Sequence, residues 1–316
     1  MKALVTGANG FVGRAVLLRL NGMSGVTGIG SVRQAAMFAD TGALLATVGE
    51  LSAQTDWSGA LAGVLAVVHT AARVHVMQEA AADPLEEFRR VNVKGTLNLA
   101  RQAAAAGVRR FVFVSSIKVN GESTQLGRPF NADDVPAPQD AYGVSKVEAE
   151  QGLHEIARQT GMEVVVIRPP LVYGPGVKAN FAALMRWLKR RVPLPLGAIH
   201  NQRSLVALDN LVDLIVTCLT HPAADNQTFL VSDGEDVSTT ELLRRMGQAL
   251  GRPACLVPLP ASILKLAAAM VGRPDVAQRL CGSLQVDIEK TRRLLGWSPP
   301  LSLDEGLKKA AEGLRV

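Results

Sequence analysis

Residues 3–13 read Ala3-Leu4-Val5-Thr6-Gly7-Ala8-Asn9-Gly10-Phe11-Val12-Gly13. An apolar strand runs into a glycine turn and then into a helical pattern over 12–20, and that order decides the fold. Glycines let the chain turn tightly, and the first amides of the helix that follows face an anion. The spacing is G-x-x-G-x-x-G, a relative of the general dinucleotide fingerprint. Gly7, Asn9, Gly10, Phe11, Val12 and Gly13 are therefore the candidates for holding a dinucleotide pyrophosphate.

Outward from this turn, short apolar runs at 3–6, 26–32, 44–48, 64–69, 110–115 and 164–168 alternate with helical patterns such as 12–20, 84–106 and 142–160. Alternation of this kind implies a Rossmann-type α/β fold, a doubly wound parallel sheet with helices on both faces. Asp83-Pro84 reads as a helix start and Gly107 as a helix stop. After Arg168 the texture breaks at Pro169, Pro170, Gly174, Pro175 and Gly176. We expect a dinucleotide-binding domain over 1–168 and a smaller, mostly helical substrate lobe over 169–316. Helices are expected there at 209–220, 239–250, 261–271, 288–295 and 304–314, with a strand at 228–231 that returns to the main sheet.

The chain has 316 residues, of which 48% are hydrophobic, enough for a large core. A net charge of +6 asks for an anionic partner, but aromatic residues make up only 4%, so stacking platforms for nucleic acid are scarce. A phosphorylated small molecule fits better, and no nucleic-acid partner is expected. No apolar stretch reaches the roughly 18–20 residues of a spanning helix, so stable membrane insertion is not expected and the cytoplasm is the expected location. The apolar segment 261–271 raises membrane-surface contact, but it lacks a Lys/Arg-rich face of its own and is expected to pack inside the lobe or against a second subunit. Cys218, Cys255 and Cys281 are too few and too scattered for a metal cluster or a disulfide framework. They read as small packing residues, and no metal is expected.

An acidic residue about 20 positions beyond the turn would hold the ribose hydroxyls of NAD. Here the first acidic residue is Asp40, and the second strand ends in Ser31-Val32-Arg33. A guanidinium beside a hydroxyl suits a ribose 2′-phosphate, so Ser31 and Arg33 favour NADP, with NAD as the alternative.

Tyr142 and Lys146 lie four apart, on one face of the expected helix. A phenol of ordinary pKa near 10 is a weak base at neutral pH, and a neighbouring ammonium favours its ionised form. Ser115 and Ser116 close the fifth strand, at the sheet edge where ligands of open α/β folds gather. A hydroxyl there can steady a reacting oxygen.

With these pieces in place, the chain resembles the extended short-chain dehydrogenase/reductase family, in its nucleotide-sugar epimerase/dehydratase branch. The likeness runs through the glycine turn, His69-Thr70-Ala71-Ala72, Asn92-Val93-Lys94-Gly95-Thr96, Arg203-Ser204-Leu205-Val206 and Leu295-Gly296-Trp297-Ser298-Pro299. It implies Ser116, Tyr142 and Lys146 as catalytic residues, with Tyr142 moving a proton on the sugar oxygen and Lys146 lowering the phenol. It also implies cofactor contacts at Ala71, Ala72, Asn92, Tyr142, Lys146 and Pro169, and contacts to a UDP-sugar at Ser116, Asn180, Arg203 and Arg279. A homodimer through the 84–106 and 142–160 helices follows from the same likeness, as does a place in lipopolysaccharide or capsule precursor synthesis.

The reaction is narrowed by departures from the pattern. The acidic pair that dehydratases carry after the catalytic hydroxyl is here Ile117-Lys118. The Ser31 and Arg33 reading favours a reductase of a 4-keto sugar nucleotide, narrowly, over a UDP-hexose 4-epimerase with retained NAD. A non-catalytic nucleotide-binding scaffold is the remote alternative, since such a protein typically lacks the tyrosine or lysine that this chain keeps.

Overall fold

The computed structural model describes residues 1–34, 43–74, 83–270 and 272–314. Its strands are β1 (Lys2–Thr6), β2 (Thr27–Val32), β3 (Leu44–Thr47), β4 (Ala66–His69), β5 (Arg110–Val114), β6 (Glu163–Arg168), β7 (Leu171–Tyr173), β8 (Arg203–Ala207), β9 (Thr228–Leu230) and β10 (Asp236–Val237). Seven of them form one parallel sheet in the order β3-β2-β1-β4-β5-β6-β9. The helices are α1 (Phe11–Asn21), α2 (Ser58–Leu61), α3 (Pro84–Phe88), α4 (Thr96–Ala105), α5 (Ala141–Thr160), α6 (Ala179–Lys189), α7 (Leu208–Thr220), α8 (Thr239–Ala249), α9 (Ala261–Met270), α10 (Pro274–Cys281), α11 (Glu289–Leu295) and α12 (Leu303–Gly313).

Strands covered on both faces are apolar at every position, because alternate side chains enter two different cores. Ala3, Val5, Val68, Val112 and Val165 pack with α1 and α7 residues such as Leu17 and Leu211. Leu4, Val67, Phe111 and Val164 point the other way, to α2, α4 and α5 through Leu61, Leu99 and Leu153. The sheet is thus doubly wound, a Rossmann-type fold. β1 sits between β2 and β4, so the chain reverses its direction of winding there, and the crevice lies at the carboxyl end of β1.

β9 pairs with β6, so the strand expected at 228–231 does return to the main sheet. The region beyond 169 also carries a three-stranded sheet, β10-β8-β7, which its short runs did not announce. A third core of Tyr173, Met185, Leu205, Leu243 and Leu307 joins that sheet to α6, α8 and α12. The single helix expected over 84–106 is three pieces: α3, a π-helical turn over Arg89–Gly95, and α4. Two packing constraints coincide with the π turn. Buried Asn92 bonds sideways to other elements, and a Cβ on Gly95 would lie 2.8 Å from Leu51. Of the cysteines only Cys218 is buried, its thiol pushed up to about 12 by burial, whereas Cys255 is exposed. Asp40 and Val271 lie outside the described residues.

Candidate active site

Gly7 leaves β1 with φ +65°, a conformation that favours glycine. A Cβ on Gly13 would sit 2.3 Å from the Gly7 carbonyl oxygen, and one on Gly7 would sit 3.0 Å from the Ala71 backbone, so both positions exclude a side chain. Gly10 is the N-cap of α1 and offers its first amides no side-chain partner. These uncapped donors open on a cleft of about 380 Å³ lined by Gly7, Asn9, Gly10, Ser31, Arg33, Ala71 and Ala72. Such a cradle fits a pyrophosphate. Phe11 and Val12 are partly buried against the first core, so their side chains hold α1 on the sheet.

The wall opposite the turn is fixed by a chain of hydroxyls. Thr6 Oγ1 accepts the Thr70 and Ala71 amides at 3.2 Å each and shares a hydrogen bond with His69 Nδ1 at 2.6 Å. His69 Nε2 in turn hydrogen-bonds Thr96 Oγ1 at 2.8 Å. Burial, with the Lys146 charge adding to it, holds the imidazole down at about 3, so His69 is a neutral strut. Asn92 does not line the cleft. It accepts the Arg73 amide at 2.8 Å and donates at 3.0 Å to both the Arg73 carbonyl and Ser145 Oγ, tying the wall to α5.

Sequence reasoning missed Glu50, which lines the same cleft as Arg33 from the loop after β3. Gly49-Glu50 directly behind a strand was the available signal.

Asp140 caps α5 by accepting the Gly143 amide at 2.7 Å, and Tyr142 stands in the first turn of that helix. Phe88 meets the phenol ring edge-on at 5.9 Å, and the Arg73 guanidinium lies 5.8 Å over Phe88, so the wall of the cleft leads directly to Tyr142. Ser116, at the end of the β5 edge, caps a 3-10 turn over Ile117–Val119, and its hydroxyl lies near enough to the phenol to favour the ionised form. Ser115 is used differently: its hydroxyl donates to Glu150, which pairs with Arg168 at 2.6 Å in the buried interior. Arg168 also donates to Asn120 Oδ1 at 3.0 Å, pinning the loop beyond Ser116. Only Ser116 of the two serines faces the phenol. Pro169 is buried behind it and accepts the Ile117 amide at 3.0 Å.

Lys146 lies one turn along α5 from Tyr142 and is anchored on β5. Its Nζ donates to the Val114 carbonyl at 2.9 Å, 4.4 Å from the Phe113 ring centroid and 5.9 Å from that of Tyr142. Burial holds the ammonium down at about 7, against the pull of Glu150. The phenol moves upward, first through burial and then through the Asp140 charge, with the Ser116 hydroxyl opposing. In the protein by itself burial and the Asp140 charge therefore favour the neutral phenol.

Ile117 is buried in the first core, and Lys118 pairs with Asp140 and Glu122. This stretch offers no carboxylate to the reacting side of Tyr142.

At the far side, Arg203 opens β8 and donates to the Arg279 and Gly282 carbonyls at 2.9 and 3.1 Å. Burial pushes its guanidinium down, and it pairs with no carboxylate among the described residues. A desolvated cation held by neutral carbonyls keeps its remaining donors for an anion. Arg279 is exposed on α10, and Asn180 is exposed in the first turn of α6. No group of three or more metal-binding side chains occurs among the described residues.

Residues 3–232 match the NAD dependent epimerase/dehydratase family. The chain is 51% identical over 310 residues to a UDP-glucose 4-epimerase of Vibrio cholerae, covering 98% of this chain and 94% of that protein. It is 30% identical to a UDP-glucose 4-epimerase of Mycolicibacterium smegmatis over 100% of this chain and 99% of the other. A short-chain dehydrogenase/reductase superfamily protein from Agrobacterium tumefaciens, solved with bound NAD, superposes with a TM-score of 0.78 at 25% identity, covering 100% and 97% of the two chains.

Proposed function

The chain belongs to the NAD dependent epimerase/dehydratase family of enzymes, and from that premise we propose that it is a UDP-hexose 4-epimerase working on retained NAD. The observation that carries this reading over the keto-sugar reductase is the 51% identity to a UDP-glucose 4-epimerase along nearly the whole chain. Glu50 supports it at the cofactor end. A carboxylate in the cleft can accept ribose hydroxyls, and it opposes the 2′-phosphate that Arg33 alone would welcome.

In this reading residues 1–168 hold the dinucleotide and 169–316 the sugar nucleotide. Gly7, Gly10 and the first amides of α1 hold the pyrophosphate, Ser31 and Glu50 the adenosine ribose, and Ala71 and Ala72 the wall beside it. What bound NAD supplies is a reversible acceptor for one hydride. Tyr142 Oη takes the proton of the sugar C4 hydroxyl as that carbon is oxidised, and returns a proton to the same oxygen after the 4-keto sugar has presented its other face. Ser116 Oγ donates to that oxygen in both halves, which steadies the charge passing through it. Because burial and Asp140 favour the neutral phenol, its ionisation depends on positive charge gathered around it, and the Lys146 ammonium supplies part of that. Arg203 holds the diphosphate, with Arg279 beside it, and Asn180 faces the sugar end. The same reading pairs two copies through α4 and α5.

The test is to denature the purified protein, identify the nucleotide it releases, and incubate intact protein with UDP-galactose and no added cofactor. Release of NAD together with formation of UDP-glucose is the expected result. Release of NADPH, or turnover only with stoichiometric NADPH, would return the reading to the reductase.

A further inference from the structure

α9, Ala-Ser-Ile-Leu-Lys-Leu-Ala-Ala-Ala-Met, is apolar on two opposite sides. Ala261 and Leu264 lean on the third core, and Ala268 lies on the same side of the helix. Ile263, Leu266 and Met270 follow at i, i+3 and i+7 on the other side, with exposures of 49%, 62% and 75%. None of the described residues of α9 is fully buried, so the helix packs on the lobe by one side only. The outward stripe runs about 10 Å along the helix axis.

The surface beside it is basic. The segment 188–198 runs alongside 252–260 through the Leu194↔Leu256 and Ala198↔Pro260 bridges, and Arg252 donates to the Lys189 carbonyl at 3.0 Å. This brings exposed Lys189, Arg190, Arg191 and Arg252 to the strip of chain from which α9 departs. Val192 and Val257 are exposed in these two segments, and Trp187 just before the first. Lys265 lies on α9 itself, and Arg273 just beyond it. Neither 169–208 nor 242–274 contains an Asp or Glu. Several surface cations elsewhere pair with carboxylates, as in Arg89–Glu148, Lys94–Glu86 and Arg158–Glu155.

We propose that this face, the outer stripe of α9 with the basic end of α6 and the 252–260 segment, docks the enzyme peripherally on an anionic lipid surface. The apolar stripe enters the headgroup boundary while the arginines and lysines meet lipid phosphates, and no segment crosses the bilayer. The positive charge that the helix lacks in its own sequence comes from its neighbours in the fold. Charge also decides against a second copy of the chain as occupant, because two such faces brought together would oppose like charges without a carboxylate between them. Docking places α10, whose Arg279 carbonyl holds Arg203, next to the lipid surface. It does not depend on which reaction the site performs.

The full-length protein is sedimented with vesicles of phosphatidylcholine alone and of phosphatidylcholine with phosphatidylglycerol. Binding to the anionic vesicles about tenfold above the neutral ones, reduced by added salt, is expected. Ile263→Gln/Leu266→Gln/Met270→Gln and Arg190→Glu/Arg191→Glu should each lower that binding by about tenfold, with melting temperature and turnover of a soluble sugar nucleotide unchanged. Equal binding by wild type and both variants, or no binding to anionic vesicles, overturns the proposal. So does a fall in sedimenting mass of the apolar variant without a loss of lipid binding, which would mark the stripe as a contact between copies.

Discussion

Replacing Lys146 by methionine separates its cost to the fold from its use to the site. Burial holds the ammonium down at about 7 from an ordinary 10.5, and at about 1.4 kcal/mol per tenfold this amounts to about 5 kcal/mol of stability withheld at low pH. Against this, the substitution loses the hydrogen bond to the Val114 carbonyl and the contact with Phe113, together about 1–3 kcal/mol. The variant should therefore be more stable than wild type by about 2–4 kcal/mol at pH 6. Between pH 7 and 10.5 the unfolded chain keeps the lysine proton while the folded one has released it, so wild-type stability rises with pH relative to the variant. Around pH 9.5 the advantage should be gone or reversed. Urea unfolding of both proteins at the two pH values measures this, followed by intrinsic fluorescence without added nucleotide. A stability difference that is the same at both would refute the account of Lys146 as a buried, desolvated cation. The stabilised variant should also be inactive, since the charge that burdens the fold is the one that favours the phenolate.

Tyr142→Phe should lower kcat by about 10²–10⁴-fold with retained NAD unchanged, read from turnover and from nucleotide released on denaturation. Arg203→Met should raise the KM for the sugar nucleotide by about 10–100-fold with a smaller effect on kcat, because a charge-assisted contact to the diphosphate is lost; steady-state kinetics decides it. In Gly13→Ala the new Cβ would lie 2.3 Å from the Gly7 oxygen, so the turn must open, with about 1–3 kcal/mol of stability lost and NAD no longer retained. Thermal melting and the ultraviolet spectrum of the purified variant report the two effects separately.

The parts of the fold that the sequence announces are those in which local chemistry and tertiary structure agree. β1 and the glycine turn are legible because a fully buried parallel strand must be apolar and because Gly7 and Gly13 leave no room for a Cβ. Tyr142 and Lys146 are legible as a helical pair, and α5 (Ala141–Thr160) matches the pattern expected over 142–160 to within one residue. What escaped depends on contacts between distant segments. That Lys146 Nζ is anchored on the Val114 carbonyl is settled by β5, 32 residues away. That Arg203 rests on the carbonyls of Arg279 and Gly282 is settled by the end of α10, 76 and 79 residues on. β3 was legible as the run 44–48, but that Glu50 behind it reaches the cleft depends on the loop that follows. The outer stripe of α9 was visible as composition, but its basic surroundings come from α6 and the 252–260 segment, which only the β-bridges bring beside it.

The central claim is that Tyr142 and retained NAD oxidise and reduce the same C4 carbon of one sugar. Incubating the purified protein with UDP-galactose in deuterated water, with no cofactor added, tests it most directly. The account predicts UDP-glucose that carries no deuterium at C4 and forms without net change in absorbance at the nicotinamide band, because the hydride is returned to the carbon it left. Deuterium at C4, or a requirement for added NADPH in proportion to product, would contradict it.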